Sequence, residues 1–382
     1  MIRVTHVISS LTTGGSEMML YKLLRDINRS QIDNRVVCMI GGGPIADMVR
    51  ALGITVEDLG MRRGLPDPRA LWRLRRILRR DRPDVLQTWL YHADLLGVVA
   101  GRWAGVPSIA WNIRCSAAEA RYREGGANWT VQLLARLSSL PEVVISNSQA
   151  GIEFHRALGY HPRRWELVPN GFDLDTFRPL PEARRALRAE LGLTLDTLIV
   201  GLVARFDPLK DHETFLRAVK ILAGQMTGVH FVLVGREVTP DNPFFAQLVA
   251  GLGLDRVVHL LGERTDIPRI TAGLDVATCS SIAEGFPNVL GEAMACAVPV
   301  VATDVGDVRI VAGKAGVVVA PSDPAALARG WHTVLSLNQP ARSAMGALGR
   351  ERIAASYALG GIARQYEDLY SELAKNVQER AA

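Results

Sequence analysis

Short apolar runs of strand length alternate with helical patterns along most of this 382-residue chain. In the amino-terminal part, the apolar runs cover residues 4–9, 34–40, 85–88, 108–111 and 143–146. Such alternation is typical of βαβ units, in which consecutive strands lie parallel and are connected by helices. The sequence therefore predicts an α/β fold with a parallel sheet in this part of the chain.

The same alternation starts again after a polar, arginine-rich stretch at residues 178–193. The second set of apolar runs covers residues 198–204, 230–235, 257–261, 276–279, 298–302 and 316–319, and the last segment, 349–379, has a helical pattern. We predict two doubly wound domains, at 1–178 and 179–355, joined near residue 180, with a C-terminal helix at 356–382 that returns to the first domain. A cleft between the two domains, at the C-terminal ends of the strands, is the expected ligand site.

The composition is ordinary for a globular protein, with 48% hydrophobic and 22% charged residues. A chain of this length suits two domains of about 180 residues each. The amino terminus has the pattern of a first strand rather than of a signal peptide, and no apolar run approaches the ~18 residues of a membrane-spanning helix. We therefore expect a cytoplasmic protein. Cys38, Cys115, Cys279 and Cys296 are widely spaced, which favours buried free thiols over disulfides or metal ligands.

Nine arginines, against two aspartates, fall between Arg62 and Arg82. Within this stretch, the segment from Arg69 to Arg80 has a helical pattern whose leucines, at positions 71, 74 and 78, share one stripe. A helix packed on the core with a solvated arginine face is one interpretation. The other is peripheral docking of this face on an anionic membrane surface, to which each arginine contributes ~1 kcal/mol. We do not expect a nucleic-acid partner.

Two glutamates, Glu284 and Glu292, stand with seven residues between them at a predicted strand-to-helix junction. Pro287 suits the first helical position, so Glu284 is expected in the loop and Glu292 about one turn into the helix. The first N–H groups of the helix, at Asn288 and Val289, favour a phosphate, and carboxylates accept hydroxyl donors from a sugar ring. Singly, each acid is also typical of a loop or a first helical turn. Together they indicate a site for phosphate and sugar hydroxyls.

Two cations, Arg205 and Lys210, follow the first predicted strand of the second domain. Arginine forks onto two phosphate oxygens and lysine acts as a point charge, so the pair suits a diphosphate. The alternative is an ordinary solvated turn that carries two cations.

A glycine pair, Gly14 and Gly15, follows the first predicted strand and opens a helix. Glycines there let the backbone approach a ligand closely. The alternative is a tight turn in which Ser16 caps the helix. The spacing lacks the full Gly-x-Gly-x-x-Gly pattern, which disfavours a nicotinamide-type cofactor.

These segments together resemble glycosyltransferase family 4, the retaining enzymes that use nucleotide sugars and have the two-domain GT-B fold. The resemblance covers essentially the whole chain and rests on residues 13–17, 83–85, 168–173, 203–205, 210, 233–235, 261–262, 284–292 and 299–303. It implies two Rossmann-like doubly wound domains that face a central cleft. It also implies transfer of a hexose-type unit from a nucleoside diphosphate sugar to an acceptor hydroxyl, in lipopolysaccharide, capsule or exopolysaccharide assembly. The implied acceptor is a glycan or lipid-linked glycan, and no cofactor or metal is expected.

The resemblance further implies roles for individual residues. In such enzymes the first glutamate contacts the transferred sugar and the second holds the ribose, which corresponds to Glu284 and Glu292 here. The arginine and lysine of the second domain hold the diphosphate, which corresponds to Arg205 and Lys210. The remaining donor-side residues are Gly14 and Gly15, which close over the phosphate, Gly262 and Arg264 near the nucleobase, and Phe286, Asn288 and Val289.

The chain also departs from the family pattern. Members often have a histidine after a first-domain strand, near the reacting carbon, and Asn112 stands at the matching position here. His92 is the alternative catalytic residue, and the sequence leaves the choice open; together with Arg114 these two form the expected acceptor side. Pro287 and Ala297 replace two glycines that are usual in the family.

Asp173 and Asp175 form the Asp-x-Asp pattern of metal-dependent transferases that have a different fold. We interpret them as part of a turn, because a carboxylate pair alone does not specify a metal site. Two other functions suit the same architecture: a nucleotide-sugar 2-epimerase, which needs no acceptor, and a non-catalytic sugar-nucleotide-binding protein.

Overall fold

The computed structural model describes residues 1–12, 14–62, 67–114 and 129–381, and for 377–381 it describes the backbone alone. Position 13 of the glycine motif, positions 63–66 of the arginine-rich stretch and Cys115 therefore lie outside the described residues. The chain divides into two compact units, Met1–Gly171 with Leu359–Ala382, and Phe172–Ala358.

Seven parallel strands form the sheet of the first unit, in the order β3-β2-β1-β4-β5-β6-β7. They are β1 (Ile2–Ser10), β2 (Ile32–Ile40), β3 (Val56–Asp58), β4 (Val85–Trp89), β5 (Ser108–Ile113), β6 (Val143–Ser146) and β7 (Trp165–Leu167). The five predicted strands are confirmed. The two that the sequence did not reveal, β3 and β7, are the edge strands, and each has only three residues, none of them buried. A strand that is neither long nor buried leaves no apolar run to recognise.

Helices cover both faces of this sheet. In the part of the chain before Gly171 they are α1 (Gly15–Asp26), α2 (Pro44–Ala51), α3 (Pro68–Asp81), α4 (Tyr91–Ala104), α5 (Trp129–Leu137) and α6 (Gln149–Ala157). Alternate residues of β1 point to opposite faces, so that Val4 and Ile8 enter one apolar cluster and Val7 enters the other. The α3 helix packs through Ala70, Leu74 and Leu78, which are buried.

Six parallel strands form the sheet of the second unit, in the order β10-β9-β8-β11-β12-β13. They are β8 (Leu198–Val203), β9 (Val229–Val234), β10 (Val258–Leu260), β11 (Val276–Cys279), β12 (Val300–Thr303) and β13 (Gly316–Val319). All six predicted strands of this half are confirmed. The central strands are buried and almost continuously apolar, and the edge strands β10 and β13 are recognisable because their residues are also largely apolar although few of them are buried.

The helices of the second unit also lie on both faces of its sheet. They are α7 (Ala183–Glu190), α8 (His212–Ala223), α9 (Pro243–Leu252), α10 (Ile267–Ala272), α11 (Asn288–Ala295), α12 (Val308–Ala312), α13 (Pro324–Leu335) and α14 (Gln339–Ser356). The polar stretch at residues 178–193 contains α7, which the sequence did not predict. Its Arg188 is fully buried and pairs with Asp275 at 2.5 Å, so α7 belongs to the core of this unit.

The boundary at Phe172 has a packing reason. The backbone N–H of Phe172 donates to the Tyr357 carbonyl oxygen at 2.8 Å, and its ring stacks on Phe286 with centroids 6.0 Å apart. Gly291 of α11 leaves room for this ring, since a Cβ there would collide with it. Residues 172–178, which the sequence placed in the first domain, therefore group with the second unit.

The C-terminal segment is two helices rather than one. The α14 helix ends at Ser356 and α15 (Leu359–Ala381) begins after a break at residues 357–358. The helical pattern at 349–379 spans this break, and the predicted C-terminal helix at 356–382 begins three residues before α15. The α15 helix groups with the first unit. Its tyrosines reach the sheet there: Tyr370 Oη donates to Gln87 Oε1 at 2.6 Å, and Asn112 Nδ2 donates to Tyr366 Oη at 3.0 Å.

Strand order reverses direction once in each sheet, between β1 and β4 in the first unit and between β8 and β11 in the second. Ligands of doubly wound folds bind beyond the carboxyl ends of the strands at such a switch point. No helix in the described part of the chain is both long and apolar enough to cross a bilayer.

Candidate active site

The loops that follow β8 and β11 are joined at the switch point of the second unit. The backbone N–H of Ile282 donates to the Leu209 carbonyl oxygen at 2.9 Å, and Ser280 Oγ donates to the Lys210 carbonyl oxygen at 2.8 Å. These bonds tie the loop that carries Arg205 and Lys210 to the loop that carries Glu284.

Lys210 and Glu284 are in direct contact. Lys210 Nζ donates to Glu284 Oε1 at 2.5 Å, and Ser281 Oγ donates to the same oxygen at 2.6 Å. Glu284 is only 7% exposed, whereas the Lys210 side chain is 25% exposed. Burial and then the negative charge of Glu284 raise the pKa of the Cys279 thiol to about 11, so that thiol stays neutral. The buried carboxylate of Glu284 is thus stabilised by one cation, Lys210, and by one hydroxyl group, that of Ser281.

Close backbone approach holds the Glu284 loop in place. Gly306, in the turn after β12, has φ +53°, and a Cβ there would collide with the Glu284 carbonyl oxygen. The next residue, Asp307, donates its N–H to the Gly285 carbonyl oxygen at 3.1 Å. Thr303 Oγ1 donates to the Ser281 carbonyl oxygen at 2.5 Å. Sequence reasoning missed Ser281 and Gly306, although Ser281 begins the same motif.

Arg205 lies just beyond the end of β8 and pairs with Asp207. Arg205 Nη2 is 2.8 Å from Asp207 Oδ2, and the arginine side chain is 38% exposed. The other oxygen of Asp207 accepts from the Leu209 N–H at 3.0 Å and caps the 3-10 helix Pro208–Lys210. Asp207 therefore pairs with Arg205 and also caps the short helix that contains Lys210.

The α11 helix begins beside this loop at Asn288. Pro287 is the N-cap residue with φ −82° and ψ 87°, so the prediction that it takes the first helical position was wrong. Its ψ lies outside the helical region, so the helix begins only at the next residue. The N–H groups of Asn288 and Val289 are consequently the first two of α11, and Glu292 is half-buried on its second turn.

The Phe286 side chain lies in the apolar core of the second unit. It is 6% exposed and packs between Phe172 and Tyr357, with ring centroids 6.0 Å and 5.7 Å away. A buried aromatic ring of this kind anchors the loop to the core of the unit.

Gly262 and Arg264 follow β10 on the same edge of the sheet. Gly262 has φ +67°, its carbonyl oxygen accepts from Gly235 N–H at 2.8 Å, and its own N–H donates to the Val238 carbonyl oxygen at 3.0 Å. The Arg264 guanidinium lies 2.7 Å from Glu190 and 2.9 Å from Asp266. Arg264 holds the pKa of Asp266 at about 2. The side chain of Arg264 is therefore occupied by acids of its own unit.

In the first unit, the glycine pair stands at the start of α1. Gly14 is the N-cap residue, in extended backbone, and Gly15 is the first helical residue, so the alternative in which Ser16 caps the helix was wrong. The Glu17 carboxylate lies over Gly14, where a Cβ would collide with it. Ser10 Oγ donates to Glu17 Oε1 at 3.3 Å.

The acceptor-side residues divide into one exposed and two buried side chains. His92 is exposed in the first turn of α4, two residues after Leu90, whose φ of +73° is strained for a leucine. Asn112 is 0% exposed and Arg114 is 7% exposed. Arg114 donates to Asn112 Oδ1 at 3.0 Å, and it also contacts Asn170. Burial lowers the pKa of Arg114. Asn112 and Arg114 therefore join the sheet to α15 rather than present polar groups at a surface.

Asp173 forms a local turn with the residues that follow it. Its Oδ1 accepts from the N–H groups of Asp175 and Thr176, both at 3.0 Å. Within the described residues, no group of three or more histidine, cysteine, aspartate or glutamate side chains is arranged to hold a metal ion. Cys38, Cys279 and Cys296 are buried free thiols, as the sequence predicts.

Two doubly wound parallel-sheet units of this kind form the GT-B architecture of glycosyltransferases, which confirms the predicted fold class. The family model described as Glycosyltransferase Family 4 matches residues 13–176, and the model described as Glycosyl transferases group 1 matches residues 197–336. The chain belongs to glycosyltransferase family 4, and it is an enzyme that transfers sugars.

Known proteins support this assignment. The UDP-Gal:alpha-D-GlcNAc-diphosphoundecaprenol alpha-1,3-galactosyltransferase of Escherichia coli is 25% identical over 80% of this chain and 80% of its own length. The D-inositol 3-phosphate glycosyltransferase of Mycobacterium marinum is 34% identical over an aligned region that covers 51% of this chain and 41% of that relative. The crystal structure of Anabaena HepE in complex with UDP has a TM-score of 0.86 with 22% identity, covering 97% of this chain and 100% of that one.

Proposed function

We propose that the protein transfers a hexose-type unit from a nucleoside diphosphate sugar to an acceptor hydroxyl with retention of anomeric configuration. The observation that carries this proposal is the contact of Lys210 with Glu284 at the switch point, next to Arg205 and the start of α11. A sugar diphosphate is bound by cations, carboxylates and helix N–H groups. Here all three kinds of group lie at the carboxyl-terminal edge of the same sheet.

Negative charge develops on the leaving diphosphate during transfer. Arg205 and Lys210 stand at the end of β8, and the positive end of the α11 dipole points to the same edge of the sheet. Fixed positive groups of this kind stabilise charge in the transition state without the cost of reorganising water. Arg205, Lys210 and the start of α11 would therefore stabilise the leaving diphosphate.

Glu284 would bind the hydroxyl groups of the transferred sugar, and Glu292 those of the ribose. In the structure, Glu284 Oε1 is already occupied by Lys210 and Ser281. A bound diphosphate would compete with Glu284 for Lys210, so donor binding exchanges one ion pair for another. The carboxylate then accepts sugar hydroxyls in place of part of its contact with the lysine.

No step of the proposed reaction requires an enzymic nucleophile or a metal. In the same-face displacement that we propose, the leaving phosphate helps to deprotonate the acceptor hydroxyl. Retention is tested by proton NMR of the first product formed, in which the anomeric coupling must match that of the donor; an inverted product would refute the assignment.

Undiminished turnover in EDTA is expected, and loss of turnover that Mg²⁺ restores would contradict a metal-free reaction.

The donor and acceptor classes are also part of the proposal. The Escherichia coli relative acts on a UDP-sugar and a diphosphoundecaprenol-linked sugar, which supports a UDP-sugar donor and a lipid-linked glycan acceptor here. We accordingly propose a role in surface polysaccharide assembly, on the cytoplasmic face of a membrane. The arginine-rich face from Arg69 to Arg80 would lie against that anionic surface.

Site-directed variants test the residue roles. Glu284→Gln, Lys210→Met and Arg205→Met are each expected to lower kcat/KM about 100-fold or more. The two cation variants lose charge that stabilises the leaving diphosphate, and Glu284→Gln loses the carboxylate that accepts the sugar hydroxyls. The matched controls are Glu213→Gln, Arg217→Met and Lys220→Met, three exposed residues of α8.

A thermal-shift screen with UDP, GDP and ADP sugars identifies the donor, because a ligand of the native state raises its stability. Turnover unchanged in all three site variants would exclude the proposed site. A donor converted to a second sugar nucleotide without any acceptor would indicate the 2-epimerase instead.

A further inference from the structure

Two tryptophans and an arginine form a packed group on the outer surface of α3 and α4 in the first unit. The Trp72 side chain is 59% exposed and the Trp103 side chain 39% exposed, with ring centroids 4.3 Å apart at an interplanar angle of 69°. The Arg75 guanidinium carbon lies 4.2 Å from the Trp103 ring centroid and 5.7 Å from that of Trp72. We call these three residues the tryptophan–arginine cluster.

The side chains of the cluster pack on one another although they face solvent. Arg75 Nε donates to the Trp103 carbonyl oxygen at 3.4 Å, which holds the cation against both rings. Val99, one turn before Trp103 on α4, is 44% exposed and extends the apolar surface. Large rings that are fixed in place and open to water mark an interaction surface rather than part of a core.

The arginines around the cluster fall into two groups. Arg73 pairs with Asp67 at 3.3 Å, and Arg80 pairs with Glu57 and Asp81. The second group on α3 consists of Arg69, Arg76 and Arg79. Within the described part of the chain, none of these three arginines forms an ion pair with an acidic side chain. Their exposed side chains leave net positive charge beside the tryptophans.

We propose that the tryptophan–arginine cluster inserts into the interfacial layer of an anionic lipid bilayer, while Arg69, Arg76 and Arg79 bind the lipid phosphates. Tryptophan suits this layer because its ring is apolar and its N–H remains hydrated, and arginine keeps its charged end at the headgroups. The proposal builds on the membrane-linked acceptor proposed above, and it assigns the contact to aromatic insertion in addition to charge.

Vesicle co-sedimentation tests the proposal. The full-length protein is mixed with vesicles of phosphatidylcholine alone or with phosphatidylglycerol added, at low and high salt. Removing two arginines, in Arg76→Gln/Arg79→Gln, is expected to weaken binding to the anionic vesicles roughly 25-fold, about five-fold per charge. Trp72→Ala is expected to weaken it about tenfold, since ~60 Å² of buried ring surface accounts for such a factor.

Matched controls separate these effects from general ones. Trp129→Ala removes a tryptophan that is 66% exposed at the start of α5, and Arg329→Gln removes an exposed arginine from α13 of the second unit. Both are expected to bind anionic vesicles like the unchanged protein. A Trp72→Leu variant restores part of the apolar surface and is expected to recover part of the binding, provided that its thermal melt is unchanged.

Acyl-chain-brominated phosphatidylglycerol tests insertion itself, because it quenches only tryptophans that enter the bilayer. Quenching is expected to fall in Trp72→Ala and to persist in Trp129→Ala. Binding of Trp72→Ala equal to that of the unchanged protein, binding that high salt abolishes completely, or no vesicle binding would each overturn the proposal. Sugar transfer to a water-soluble acceptor is measured in parallel. Transfer without vesicle binding would refute membrane insertion but not the proposed reaction. Vesicle binding without transfer would refute the proposed reaction but not membrane insertion.

Discussion

Removal of the Lys210 amine is expected to destabilise the second unit, because it leaves a carboxylate that is 7% exposed without its cation. Breaking a buried ion pair by removing one partner costs about 3–5 kcal/mol. The lysine is 25% exposed and Ser281 Oγ still donates to Glu284 at 2.6 Å, so we place the loss for Lys210→Met at or just below the lower limit of this range, about 2–3 kcal/mol.

The reciprocal variant should be milder. Glu284→Gln keeps the shape of the side chain, and the partly exposed lysine is able to bind water, so a loss of about 1 kcal/mol is expected. In the double variant the two losses should not add, because neither group is left charged and unpaired. We expect a coupling of about 1.5 kcal/mol between the two positions.

The assay must report on the second unit alone. Trp331 is the only tryptophan between residues 172 and 358, and it is fully buried. In 5-fluorotryptophan-labelled protein its ¹⁹F resonance, assigned with Trp331→Phe, follows the unfolding of that unit in urea. Lys220→Met, at an exposed position of α8, serves as the control and should change stability by less than about 0.5 kcal/mol. Single-variant losses that add to within about 0.5 kcal/mol would refute the ion pair as the source of the effect.

Three further predictions concern stability. Ala297 has φ +57°, so Ala297→Gly should raise the free energy of unfolding by about 1 kcal/mol in the same urea assay, whereas Ala293→Gly, inside α11, should lower it. Burial raises the pKa of Asp94 well above its usual range, so its carboxyl group stabilises the fold in the neutral form. This contribution to the free energy of unfolding is complete below pH ~4 and is lost as the pH rises. Asp94→Asn should remove this dependence of stability on pH in melts between acid and neutral pH, and an unchanged dependence would contradict the prediction. Tyr370→Phe leaves Gln87 Oε1 without its donor and should cost about 1–2 kcal/mol in thermal melts, against no change for an exposed position such as Arg364→Gln.

The central strands of both sheets could be predicted from the sequence because parallel strands covered on both faces are apolar along their length. The edge strands β3 and β7 could not, since three half-exposed residues resemble a loop. The helical pattern at residues 349–379 gives no sign of the break between α14 and α15. The break arises where Tyr357 and Ala358 bond to Phe172, a contact between segments far apart in the chain.

At the candidate site, the sequence supplied the residue types and the order of the loops. The spacing from Glu284 to Glu292 placed the first glutamate before a helix and the second within it, and the structure has this arrangement with the helix starting one residue later than predicted. Phe286 and Asn112 show the limit of such reasoning. A motif gives the neighbours of a residue along the chain, but it does not indicate whether its side chain turns toward solvent or toward the core.

The sequence by itself determined the two doubly wound halves and the membership of glycosyltransferase family 4, because both depend on periodicity and on short contiguous motifs. Only the tertiary structure decided that Lys210 pairs with Glu284, that Asn112 and Arg114 are buried against α15, and that Trp72 meets Trp103. Each of these contacts joins segments that are distant in the chain. Such pairing depends on how strands order and helices pack, which is decided by the burial of apolar surface over the whole unit rather than by any local pattern.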